Sequence, residues 1–84
     1  MKVIAYREHG SIYFDEFRND DDAINAVLEQ SGCKAEIDDM IDSLARDSAF
    51  EPLPTEEFNR RWNEYMMKMI EVLVENDCEI EWGM

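Results

Sequence analysis

The stretch 55-TEEFNRRWNEYMMKMIEVLVEN-76 carries the strongest helical pattern in the chain, and its reading decides the fold. Phe58, Trp62, Tyr65, Met66, Met69 and Leu73 follow the i, i+4, i+7, i+8, i+11, i+15 spacing of one helix face. Thr55 is a favoured capping residue, and Glu56 and Glu57 fall in the first turn, where carboxylates meet the positive end of the helix dipole. Met67, Ile70 and Val74 widen the apolar stripe, so this helix is either central to the fold or part of an interface. Asn76-Asp77 marks its exit.

The flanking residues read differently. Downstream, Cys78, Ile80 and Trp82 alternate with Glu79 and Glu81, the period-2 signature of a short strand. Upstream, Phe50-Glu51-Pro52-Leu53-Pro54 is an extended connector, because two prolines forbid helix. Before it, Lys34 to Asp47 reads as a helix with Ile37, Ile41, Leu44 and Ser48 on one side and Asp38, Asp39 and Asp42 opposite. Asn19 and Asp20-Asp21-Asp22 start an earlier helix with Ala23, Ile24, Val27 and Leu28 as its inner stripe, and Ser31-Gly32 ends it. At the N-terminus, Lys2–Glu8 and Ser11–Phe17 read as strands joined at His9-Gly10 into an antiparallel hairpin. Ile4 and Tyr6 alternate with Val3 and Ala5, so one face packs on helices and the other is open to solvent or a partner. The expected architecture is one small α+β domain over residues 1–84, in the order β-β-α-α-α-β. A three-stranded antiparallel sheet would pack against helices, the longest near residues 55–76.

Charge is distributed unevenly over this plan. The chain of 84 residues carries a net charge of −13. Residues 1–18 balance, with three acids against three bases; residues 19–57 hold twelve acids against two bases; residues 58–84 hold six against three. Packed like charges repel and weaken the compact state, so a use for the field is expected. A hydrophobic content of 45% is too high for a disordered acidic tail. Nucleic acid and anionic membranes would be repelled, which leaves basic protein surfaces as partners. No run of apolar residues is long enough to span a membrane, and charges come too early in MKVIAYREHG for a secretory signal, so a cytoplasmic location is expected. Cys33 and Cys78 are expected as free thiols, at least one of them buried.

Catalytic signals are weak. Asp20, Asp21 and Asp22 could ligate a cation, but Asn25, Gln30 and Gly32 do not supply the oxygen spacing of a calcium loop. His9, Cys33 and Cys78 give three zinc-type ligands with no close-spaced pair, and a Cys-His nucleophile would need distant residues brought together. Gly10, Gly32 and Gly83 form no phosphate loop. Neither metal, cofactor nor enzymatic activity is expected. The acids near Glu36, Asp38, Asp39 and Asp42 have almost no lysine among them, whereas an ordinary solvated helix mixes signs. The partner-binding candidates are therefore Asp20, Asp21, Asp22, Glu36, Asp38, Asp39 and Asp42.

In size, acidity and α+β layout the chain resembles small phage-encoded anti-CRISPR proteins and other DNA-mimicking inhibitors. The likeness is one of general character over all 84 residues, including the stretches Asn19-Asp20-Asp21-Asp22 and Glu36-Ile37-Asp38-Asp39-Met40-Ile41-Asp42. It implies a stoichiometric inhibitor that occupies a nucleic-acid-binding surface of a defence complex in the host cytoplasm. The alternative is an immunity protein, antitoxin or adaptor that binds through exposed apolar groups such as Met67, Ile70, Trp82 or the outer sheet face. Oligomeric state is open.

Overall fold

A computed structural model describes residues 1–83. The elements are β1 (Lys2–Glu8), β2 (Ser11–Phe14), α1 (Asp21–Ser31), α2 (Lys34–Phe50), α3 (Thr55–Glu75) and β3 (Glu79–Trp82). The expected order and α+β class are those observed. The hairpin turn has both His9 (φ 51°) and Gly10 (φ 81°) in the left-handed region, the pattern of a two-residue turn that matches strand twist. Glu8 pairs with Ser11 and Ala5 with Phe14 across it.

The sheet is mixed, with strand order β2-β1-β3, and β3 runs parallel to β1 rather than antiparallel as expected. The direction of α3 explains the difference. Near its start, Asn59 approaches Ser11 (3.3 Å) and Asn63 accepts from the Ile12 N–H (2.9 Å), so α3 begins at the turn end of the hairpin. It finishes where β1 starts, because the Glu79 N–H bonds the Met1 carbonyl at 2.9 Å. The helix thus runs against β1. Asp77 (φ 66°) and the Cys78 N–H bonded to the Leu73 carbonyl reverse the chain tightly, and β3 then lies alongside β1 in the same direction.

Element ends also differ from the expectations. β2 stops at Phe14, because the Asp15 carboxylate accepts from the Phe17 and Arg18 N–H groups and turns the chain. The α1 cap is Asp20, which accepts from the Ala23 N–H; Asn19 instead grips β1. α2 continues to Phe50, and α3 follows Pro54 with Thr55 as its first helical residue and no side-chain cap. Gly32 (φ 80°) closes α1 in the left-handed conformation.

The core lies between the sheet and the three helices. Val3 and Ile12 from the sheet, Ile24 and Leu28 from α1, Ile37 from α2, and Met66, Met69, Ile70, Val72 and Leu73 from α3 form it with Cys78. Both cysteines are free, and Cys78 is the buried one. In β1, Val3 and Ala5 are buried and Ile4 and Tyr6 half-buried, so one sheet face packs more fully than the other although both are apolar.

Candidate partner-binding surface

Eight lysines and arginines cannot neutralise 21 acids, and the structure shows how the few cations are spent. Lys2 pairs with Glu81, Arg18 with Asp15, Lys34 with Asp38, Arg60 with Glu57 and Glu64, Arg61 with Asp47, and Lys68 with Glu36. Arg7 lies over the Trp82 ring at 5.2 Å, and Arg46 donates to the Ser43 hydroxyl. Fourteen carboxylate side chains are left without a lysine or arginine within 4.0 Å among the described residues.

The seven candidate acids separate on this basis. Asp20 caps α1 and has a structural task. Asp21 and Asp22 are exposed in its first turn, where the helix dipole holds them. On α2, Glu36 and Asp38 already have lysine partners, and the Asp38 hydrogen bond chiefly pushes the Lys34 ammonium above its ordinary pKa. Asp39 and Asp42 are exposed and have no cation partner among the described residues. Glu36 and Asp39 line a groove of about 300 Å³ with Met40, Ser43, Arg61 and Glu64, between α2 and α3. Asp21 lines a different and larger cleft. Of the candidate acids that line a cavity, Asp21 is thus separate from Glu36 and Asp39.

The larger cleft was not legible as a site. It has a volume of about 470 Å³ and is walled by Tyr6 of β1, Tyr13 and Phe14 of β2, Ile24 and Asn25 of α1, and Trp62, Tyr65, Met66 and Met69 of α3, with Glu16 and Asp21 at its polar side. Four rings form a continuous series: Tyr6 to Tyr13 at 5.5 Å between centroids, Tyr13 to Trp62 at 5.9 Å, and Trp62 to Tyr65 at 5.5 Å. The Trp62 indole N–H donates to the Ile12 carbonyl at 2.8 Å, which fixes its ring across the open edge of β2. Burial foremost, and then the carboxylates of Glu8, Asp15 and Glu16, raise the Tyr6 phenol above its ordinary pKa. Burial likewise raises the Tyr65 phenol. At the sequence level Trp62 and Tyr65 read as core positions; the available hint was that both are polar-tipped aromatics, which favour half-wet sites.

The residues weighed for chemistry stay apart. The His9 side chain is 92% exposed in the hairpin turn, beside Glu8. Cys33 precedes α2 and Cys78 follows α3. No group of three or more His, Cys, Asp or Glu side chains among the described residues is arranged to hold a metal ion. Among the described residues no helix is long and apolar enough to cross a membrane. Exposed apolar side chains include Phe17 and Phe50 (both 91% exposed), Met67 and Trp82; Ile70 is buried, which removes it from any apolar contact surface. Comparisons with protein-family models, curated proteins and solved structures gave no match.

Proposed function

We propose that this protein is a non-enzymatic inhibitor that binds a basic, nucleic-acid-binding surface of a protein or complex in the cytoplasm, in the manner of the anti-CRISPR and DNA-mimic proteins it resembles. The observation that carries this reading is the surplus of fourteen carboxylates without a lysine or arginine partner among the described residues, every lysine and arginine being engaged elsewhere. Asp39 and Asp42 are its clearest members, because both are exposed on a long helix and neither has a structural task. Unneutralised carboxylates offer lysine and arginine groups the same partner chemistry as phosphates.

Binding of this kind is steered by long-range field and weakens with salt. The test is calorimetric titration of purified nucleic-acid-binding defence effectors between about 50 and 500 mM NaCl, with displacement of their nucleic acid as a second readout. Affinity that falls with salt and is lost in Asp39→Lys/Asp42→Lys supports the reading. Affinity indifferent to both refutes it. Phe17, Phe50, Met67 and Trp82 support a second reading, an immunity protein, antitoxin or adaptor gripping its partner through apolar groups. In that case Met67→Ala or Trp82→Ala abolishes binding and the charge reversals leave it intact.

A further inference from the structure

The cleft between the hairpin, α1 and α3 has an unusual pairing of walls. Its rings form an unbroken series from Tyr6 through Tyr13 and Trp62 to Tyr65, with centroid steps of 5.5, 5.9 and 5.5 Å. Its polar side carries Glu16 and Asp21, both exposed, and no lysine or arginine among the described residues lines it. Aromatic faces attract cations within about 6 Å, and more strongly once water is displaced. Adjacent carboxylates add Coulomb attraction of the same sign. Elsewhere in the chain a ring face is covered by an internal cation, since Arg7 sits over Trp82. Arg18, the base nearest in sequence to the polar rim, is held by Asp15 at 2.9 Å and does not line the cleft.

We propose that this cleft receives an arginine side chain of the partner protein, its guanidinium lying against the Tyr13–Trp62–Tyr65 rings and bonding Glu16 or Asp21. The inference rests on the reading that the partner is basic, and it names a specific socket within that contact. Arginine fits better than lysine: its planar, weakly hydrated fork stacks on rings and pairs two-pronged with a carboxylate, whereas an ammonium must shed a tighter water shell. The volume of about 470 Å³ falls in the range of sites that enclose a ligand group. The fixed Trp62 ring means little ordering is needed on binding.

The experiment uses the whole chain, labelled with nitrogen-15, and N-acetyl-argininamide as probe. Saturable shifts of the Trp62 indole N–H are expected, with the Trp82 indole as internal reference. N-acetyl-citrullinamide, matched in shape but neutral, gives no saturable shift. Glu16→Gln/Asp21→Asn alters only exposed side chains and weakens the arginine probe about fivefold. Tyr13→Leu removes a central ring and abolishes saturation, with far-UV circular dichroism checking the fold. Equal responses to the two probes, or an affinity untouched by Glu16→Gln/Asp21→Asn, would overturn the assignment. Asp39→Lys/Asp42→Lys leaves this titration unchanged, so failure of the socket and failure of the basic-partner reading are told apart.

Discussion

Two asparagines do work out of proportion to their size. Asn19 accepts from the Ile4 N–H and donates to the Ile4 carbonyl, both at 2.8 Å, and so completes the pairing of Ile4, whose carbonyl also accepts from the Asp15 N–H at 3.0 Å. Asn63 does the same for the outer edge of the hairpin, accepting from the Ile12 N–H and donating to the Gly10 carbonyl at 2.9 Å. An unpaired backbone group in a half-buried setting costs its full desolvation, so Asn19→Ala is expected to destabilise the protein by about 1–3 kcal/mol in urea unfolding. Asn19→Asp is expected to destabilise as well, because it sets a carboxylate oxygen that cannot donate against the Ile4 carbonyl, although the Asp15 N–H still bonds that carbonyl. Asp15 acts on the same corner. The Arg18 guanidinium foremost, with the Phe17 and Arg18 N–H groups, holds its carboxyl below the ordinary value of 3.8. A depressed pKa means the turn is favoured above the ordinary carboxylate range and loses that support as pH falls through the lowered value. The Phe17 and Arg18 amide shifts are therefore expected to titrate with a midpoint below 3.8, and Asp15→Asn abolishes the transition.

At the scale of elements, α3 organises the molecule. It packs on both other helices and on both edge strands. Leu73 is fully buried on it, and Leu73→Ala is expected to cost about 2–5 kcal/mol in chemical denaturation, through lost transfer energy and the cavity left behind. The helix was legible from its apolar spacing, and Met66, Met69 and Leu73 are buried as that spacing required. Phe58 is partly exposed, because the first turn of α3 overhangs the hairpin end where the core thins. The direction of β3 was not legible, since alternation reports which side chains share a face and says nothing of parallel or antiparallel pairing. Strand direction follows from the path of α3, which is set by Asn59 and Asn63 reaching the hairpin from far along the chain. The candidate acids were legible as a surplus of charge; the aromatic cleft was not, because its four rings come from three elements. At the far edge, Glu79 and Glu81 place like charges along β3 and discourage pairing with another sheet.

Over the whole molecule, a net charge of −13 on a body with a radius of gyration of 13.2 Å is a standing repulsion. Salt screens it, and the internal ion pairs that salt also weakens are mostly exposed and contribute little. The melting temperature is therefore expected to rise by several degrees between about 20 and 500 mM NaCl, as followed by circular dichroism. An ordinary protein of balanced charge would change little. The salt that stabilises the free protein is the salt expected to weaken its complex, so the two effects can be read in opposite directions on one sample. The parallel β1–β3 pairing has a further consequence, for the order of events in synthesis. Lys2 pairs with Glu79 and Ala5 with Trp82. A strand made early is thus completed by one made after all three helices, and the outer backbone edge of β1 stays unpaired until residues 79–82 emerge. The nascent chain can form its hairpin and helices early, but the sheet gains its third strand only after α3 has been made.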